Sequence, residues 1–254
     1  MAEPRKNVRM TVAYDGRDFY GWQRLKDHPT VQGTLEAALT AACGVRVEVR
    51  GAGRTDRGAH ARGQVATARI PQSDDLTALA DGLQARLPAS IEVRDLCEVP
   101  KDFHPRYGAT GKRYVYVIHN APELPEDARG RVWHVPEALD VEAMRAALPV
   151  LIGTHDFASF ATKVNYDRES SERTVTTFTL EHAQPRITFT IEADGFLYKM
   201  VRNLVRAVVK VGEGRLDAQG LQAVLTARDR HAAPGTAPAS GLTLDAVFFE
   251  EPTP

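Results

Sequence analysis

Residues 45–70 read VRVEVRGAGRTDRGAHARGQVATARI, and this stretch sets the pattern from which the fold can be predicted. Residues 45–50 alternate valines with charged side chains, and residues 64–70 also alternate, so both are predicted β-strands. The segment between them, residues 51–61, is far longer than a tight hairpin needs and contains three glycines. Binding and catalytic groups concentrate on loops held by rigid strands, so we expect the functional residues here.

Similar patterns along the chain predict the remaining elements. Further strands are predicted at 8–14, 91–99, 113–119, 173–182, 186–193 and 242–250, and helices at 31–43, 76–87, 141–151, 197–211 and 221–227. Thr30 is the predicted N-cap of the first helix, and Gly44 follows its end. Strands that follow one another directly favour an antiparallel sheet with helices on one face, an α+β architecture. A boundary near Phe103 and His104 divides the chain into two halves, 1–104 and 105–254.

Composition limits the classes of partner. The chain has 254 residues, 43% of them hydrophobic, and a formal net charge of −1, so any site for a polyanion must come from local clustering of cations. Cys43 and Cys97 each lie in an apolar context, which favours buried reduced thiols over a disulfide or a metal site. Neither an apolar leader nor an apolar run of membrane-spanning length is present, and we expect a soluble cytoplasmic protein.

The loop at 51–61 concentrates charge. Residues 46–69 contain six arginines and two acids. An ionised Asp56 among arginines could act as a nucleophile or a base toward a sugar carbon. Equally, it could pair with Arg54 or cap a turn, and composition alone favours that structural interpretation.

Two segments of the second half add basic and aromatic side chains. In the helix predicted at 197–211, Lys199, Arg202, Arg206 and Lys210 gather opposite the apolar face, which indicates either a solvated basic face or a contact for RNA phosphates. Arg202 lies at the margin, where it could reach a partly buried acid. Tyr114 and Tyr116 share one face of their predicted strand, next to Lys112 and Arg113 in sequence. Aromatic rings beside basic groups suit base stacking, but such rings are also typical of core residues with a polar tip.

Seven segments, in order along almost the whole chain, resemble the TruA family of tRNA pseudouridine synthases. They are 13–16 with 21–23 (AYDG, GWQ), 30–33 (TVQG), 53–61 (GRTDRGAHA), 103–104 with 112–114 (FH, KRY), 153–160 (GTHDFASF), 195–203 (GFLYKMVRN) and 237–244 (AP…GLTL). The only departure within the signature at 53–61 is Ala59, where valine is usual.

The resemblance implies a fold and an activity. The expected fold is two similar α+β halves whose mostly antiparallel sheets join into one long sheet, with the active-site cleft between the halves. The expected activity is isomerisation of uridine to pseudouridine at positions 38, 39 and 40 of the tRNA anticodon arm by a homodimer. No cofactor and no metal is expected.

The resemblance also implies roles for individual residues. Asp56 would be the essential carboxylate, Tyr114 would stack on the target base, and Arg202 would pair with Asp56 and hold it ionised. Arg54 would help to displace the target base, while Lys199 and Arg206 are candidate contacts to the RNA backbone.

Three alternatives are compatible with parts of the sequence. A tRNA-binding protein without activity would share the basic segments but would not need Asp56, Tyr114 and Arg202 together. A glycoside hydrolase normally needs two carboxylates across the scissile bond, whereas Asp15 and Asp18 resemble turn formers. A pseudouridine synthase with another RNA target would share the catalytic residues. Residues 163–173 are either an RNA-contacting loop or a connector.

Overall fold

A computed structural model describes residues 4–162 and 170–250 of the chain. Within these residues, ten strands belong to one mostly antiparallel sheet, and five α-helices accompany them, so the α+β prediction is confirmed. The strands are β1 (Arg5–Tyr14), β2 (Val49–Gly51), β3 (His60–Pro71), β4 (Ile91–Val99), β5 (Ala109–His119), β6 (Trp133–His134), β7 (Gly153–Asp156), β8 (Glu172–Ala183), β9 (Arg186–Ala193) and β10 (Leu242–Phe249). The helices are α1 (Val31–Cys43), α2 (Leu76–Gln84), α3 (Val141–Ala147), α4 (Met200–Gly212) and α5 (Ala218–Ala227).

The chain forms two compact units. The first contains residues 1–110 and 244–254, and the second contains residues 111–243. The division at 104 and 105 that the sequence suggests stays a prediction about folding domains.

In the first unit, the strand order is β4-β1-β3-β10, and β2 also pairs with β3. Val8, Met10 and Val12 alternate along β1 with partly exposed residues, so one face of the sheet is buried and the other is more open. Helices α1 and α2 pack on each other and on this part of the sheet, and they contribute Leu35 and Leu83 to the core.

In the second unit, the strand order is β5-β9-β8-β7, and β6 lies parallel to the end of β5. Helix α4 is the central helix, because ten of its thirteen residues are buried. It packs closely on α3: a side chain at Gly212 would lie only 2.7 Å from Sδ of Met144.

Several predicted elements change at their ends, and hydrogen bonds and backbone conformation explain two of these changes. The strand predicted at 45–50 is shortened to β2 because α1 binds its backbone: Val47 N–H donates to Oγ1 of Thr40 and Val49 N–H donates to Oε1 of Glu36, both at 3.1 Å. The helix predicted at 197–211 begins at Met200, since Lys199 has a left-handed backbone conformation with φ of 61°. The short strands β6 and β7 were not predicted.

No helix in the described part of the chain is long and apolar enough to cross a membrane. Most of the segment at 163–173, whose role the sequence leaves open, lies outside the described residues.

Candidate active site

The loop after β2 is held by the segment that follows β1. Trp22 N–H donates to the carbonyl oxygen of Thr55 at 3.1 Å, and Gly58 N–H donates to that of Phe19 at 3.4 Å. Gly21 has a φ of +90°, and a Cβ there would lie 2.6 Å from the carbonyl oxygen of Thr55. Glycine is therefore required at this position by both backbone conformation and space.

A second contact fixes the far end of the loop. A Cβ on Gly16 would lie only 1.9 Å from the carbonyl oxygen of Ala59, so the two backbones touch. Gly16 N–H donates to Nδ1 of the buried His60 at 3.1 Å, and Oδ1 of Asp15 lies 3.3 Å from the same nitrogen. Asp15 also accepts from Arg17 N–H, which confirms that it forms a turn.

A buried polar network supports the middle of the loop. Tyr14 and Thr55 share a hydrogen bond between their hydroxyl oxygens at 2.8 Å, and Nε2 of Gln64 donates to the carbonyl oxygen of Gly53 at 2.9 Å. Tyr14, Thr55 and Gln64 are all buried. Burial raises the pKa of the Tyr14 phenol, while hydrogen bonds with Thr55 and Gln64 partly oppose that rise, so Tyr14 stays neutral at physiological pH.

Asp56 lies within this framework and is only partly buried. Its carbonyl oxygen accepts from Ala59 N–H at 3.1 Å. Arg54, two residues before Asp56, is exposed. The guanidinium of Arg57 lies 4.0 Å from the ring centroid of Tyr20, which is a cation–π contact. The loop thus presents a carboxylate from a fixed backbone with two cationic side chains beside it in sequence.

In the second unit, Tyr114 lies on β5 opposite Ile191 of β9. Its ring is 7% exposed and meets the ring of Phe196 edge-to-face, with centroids 5.0 Å apart at 88°. Tyr116 differs, because it is fully buried and its hydroxyl donates to the carbonyl oxygen of Pro238 at 2.8 Å. Tyr116 is therefore a core residue.

Arg202 and Asn203 tie α4 to the segment before β10. Nε of Arg202 donates to the carbonyl oxygen of Ala237 at 2.7 Å, and Ala237 N–H returns a hydrogen bond to the carbonyl oxygen of Arg202 at 3.1 Å. The fully buried Asn203 donates to the carbonyl oxygen of Phe160 at 2.7 Å and accepts from Oγ1 of Thr236 at 2.6 Å. Three of the sequence segments noted above therefore meet at these two residues.

The basic side of α4 is less open than its sequence indicates. The side chains of Arg206 and Lys210 are only 24% and 15% exposed, and both pair with Glu213, at 3.1 and 2.5 Å. Arg206 also lies over the ring of Trp133, 5.3 Å from its centroid. Lys199 lies at the start of the helix, with Nζ 5.1 Å from the ring centroid of Tyr198. Arg202, Arg206 and Lys210 are all partly buried, so the basic side of α4 is not a fully solvated face.

The predicted site residues are thus distributed over both units. Arg54 and Asp56 share one loop of the first unit, and Tyr114, Lys199, Arg202 and Arg206 belong to the second. The pairing of Asp56 with Arg202 stays a prediction. Sequence reasoning missed Gln64 and Asn203, although each interrupts an otherwise apolar face, which is a signal for a buried polar network.

Comparisons with known proteins identify the family of the chain. A family model described as tRNA pseudouridine synthase matches residues 10–108 and 147–250. The tRNA pseudouridine synthase A of Acetivibrio thermocellus is 39% identical over 244 residues, covering 96% of this chain and 100% of that protein. The protein of the same name from Solidesulfovibrio magneticus is 42% identical over 252 residues, covering 96% of this chain and 92% of that protein. The chain therefore belongs to the tRNA pseudouridine synthase family, isomerases that act on tRNA.

Proposed function

We propose that this chain isomerises uridine to pseudouridine at positions 38, 39 and 40 of the tRNA anticodon arm, with Asp56 as the catalytic carboxylate. The observation that carries the proposal is the way the loop is held. Thr55, next to Asp56, is fixed by Trp22 at its carbonyl oxygen and by Tyr14 at its hydroxyl. A carboxylate on such a backbone is pre-organised for a reaction at one position.

The reaction needs an anionic group beside the sugar. The bond from C1′ to N1 breaks, a bond from C1′ to C5 forms, N1 gains a proton and C5 loses one. Asp56 either attacks C1′ directly or removes the C2′ proton to give a glycal. Substrate carrying deuterium at C2′ separates the two routes, because only the second breaks that C–H bond.

The other predicted residues are proposed to bring the target base and Asp56 together. Extruding a nucleotide costs a few kcal/mol, and a stacking ring offsets part of this. Tyr114 is the proposed ring, held in orientation by Phe196. Arg54, which is exposed, is proposed to displace the base. Arg202 is proposed to orient Asp56 through its guanidinium while its Nε is bonded to Ala237.

Lys199 and Arg206 are proposed contacts to the RNA backbone. Because Glu213 already offsets the charge of Arg206, we expect Arg206 to contribute less to tRNA affinity than an unpaired surface arginine. We further propose that the protein works as a homodimer and that it is located in the cytoplasm. Light scattering of the purified protein measures its mass in solution and so tests the homodimer.

The first experiment is release of tritium from C5 of uracil in unmodified tRNA. Wild-type protein should release tritium, and Asp56→Asn should not. Asp18→Asn is the matched control, since Asp18 is an exposed aspartate of the same unit and should leave release unchanged. Binding of tRNA without release by the wild type would indicate an RNA-binding protein, and full release by Asp56→Asn would exclude the carboxylate mechanism.

A further inference from the structure

The open face of the first unit's sheet carries a row of arginines. Residues directly opposite in neighbouring antiparallel strands point to the same side. Arg9 of β1 lies opposite Thr67 of β3, and Thr67 lies opposite Arg50 of β2. Two residues further along, Arg69 lies opposite Asn7. Arg9, Arg50 and Arg69 therefore share the face away from the buried Val8 and Met10.

This face forms a groove of about 370 Å³. Among the described residues that line it, five are cationic (Arg5, Arg46, Arg50, Arg69 and Lys101) and one, Glu48, is acidic. Glu48 pairs with Arg46 at 3.1 Å, and both side chains are more than 60% exposed, so the pair removes little of the positive field. The lining includes the short side chain of Thr67 between Arg9 and Arg50, which fills little of the groove.

The groove begins beside the start of the loop that carries Asp56 and continues away from it along the strands. Arg50, which lines the groove, lies in β2, and the loop follows Gly51 at the end of that strand. Arg69 lies two residues beyond Thr67, the partner of Arg50, and Arg5 lies opposite Pro71, so the groove continues past the position where the loop starts. An occupant of the groove is either another part of the same RNA or another molecule.

We propose that this groove binds the sugar–phosphate backbone of the tRNA at nucleotides other than the target uridine. The proposal rests on the proposed function and names a second contact for the same substrate. Guanidinium groups form two parallel hydrogen bonds with phosphate oxygens, so a groove lined by several arginines suits a sugar–phosphate backbone. The chain is close to neutral overall, so affinity for a polyanion must come from such local clusters.

His104 at the end of the groove reports the positive field. Burial lowers the pKa of its imidazole, and Arg50 and Arg106 lower it further. The imidazole therefore stays neutral at physiological pH, and binding through this groove should depend on salt rather than on pH near neutrality.

The test compares two double variants that remove the same charge. R50Q/R69Q removes two exposed arginines of the groove, and R86Q/R145Q removes two exposed arginines elsewhere, one just after α2 and one in α3. Fluorescence anisotropy with unmodified tRNA gives Kd between 50 and 200 mM KCl, and the tritium assay gives kcat and KM. For R50Q/R69Q we expect a Kd raised roughly tenfold and a plot of log Kd against log salt that is less steep by about 1.5 to 2, with kcat unchanged.

The outcomes separate this proposal from the proposed function. An equal loss of tRNA affinity in both double variants, or a wild-type Kd in R50Q/R69Q, would overturn the groove proposal. Tritium release at the wild-type rate in the same variants would leave the catalytic proposal intact. A wild-type Kd in R50Q/R69Q would instead indicate that the groove serves another anionic partner, such as an acidic protein surface. Weakened tRNA binding by R50Q/R69Q alone supports the groove even in a protein that releases no tritium.

Discussion

The hydrogen bond between Tyr14 and Thr55 provides a direct test of how the catalytic loop is held. Tyr14→Phe removes one hydroxyl, Thr55→Val removes the other, and the double variant removes both. The two side chains are 4% and 7% exposed, so neither abandoned hydroxyl can be satisfied easily by bulk water. Tyr14→Phe leaves the buried Thr55 hydroxyl without this hydrogen bond, and Thr55→Val leaves the buried Tyr14 hydroxyl with Gln64 as its remaining partner. The double variant removes both hydroxyls of the pair.

The expected magnitudes follow from this asymmetry. A buried group that loses its partner destabilises the folded state by about 1–3 kcal/mol. For a chain of this size, each kcal/mol lowers Tm by roughly 2–4 °C. The loss in the double variant should be smaller than the sum of the single losses by about 0.5–3 kcal/mol, the coupling typical of residues in one hydrogen-bond network.

Activity should fall when the backbone of the loop is no longer held in place. Thr55 precedes Asp56, and a displacement of about 1 Å in a reacting group can lower the rate by about 100-fold. We expect a lower kcat in both single variants, with Kd for tRNA unchanged. Urea denaturation and the tritium assay measure the two effects. Single-variant losses that add within about 0.3–0.5 kcal/mol, or wild-type kcat in both, would refute the network.

Three further predictions follow from individual contacts. Arg202→Ala removes the 2.7 Å hydrogen bond to Ala237, so we expect about 1.5–3 kcal/mol less stability in urea and lower activity, and wild-type values of both would contradict this role. Burial raises the pKa of Tyr116 above its ordinary value of 10.0. The neutral phenol therefore contributes to stability below pH 10, and this contribution is lost as the pH rises further. Tm of the wild type should fall more steeply above pH 10 than Tm of Tyr116→Phe. Gly21→Ala should lower both Tm and kcat, because the new Cβ would collide with the carbonyl oxygen of Thr55. Gly44→Ala should lower Tm only, because Gly44 has a φ of +67° but its Cβ would have nothing within 4 Å. Equal kcat in the two variants would show that contact with the loop is unimportant.

Elements whose signals are local could be predicted from the sequence. Helix α1 has the predicted bounds because its ends are determined by adjacent residues. The Thr30 hydroxyl accepts from Gly33 N–H at 3.3 Å, and Gly44 adopts the left-handed conformation with φ of 67° that ends the helix. The family signature could be read for the same reason, since its residues are contiguous.

Features that depend on distant partners could not be predicted. The residues at 45–48 alternate like a strand, yet their backbone is bound by side chains of α1. Periodicity placed the cations of α4 on one side but could not show that Glu213 pairs with two of them. The roles of Gln64 and Asn203 likewise depend on carbonyl groups of other segments, those of Gly53 and Phe160.

The register between β1 and β3 shifts next to the loop that carries Asp56. Val12 lies opposite Gln64, but Tyr14 lies opposite Ala61, so β3 contains one extra residue between these pairs. Such a bulge changes the direction in which the following side chains point and is frequent beside functional sites. Gly63 lies within it, where a Cβ would be 2.3 Å from the carbonyl oxygen of Asp245 in β10. The backbone of β10 therefore requires glycine at the bulge, and the bulge sets how the chain leaves the loop that presents Asp56.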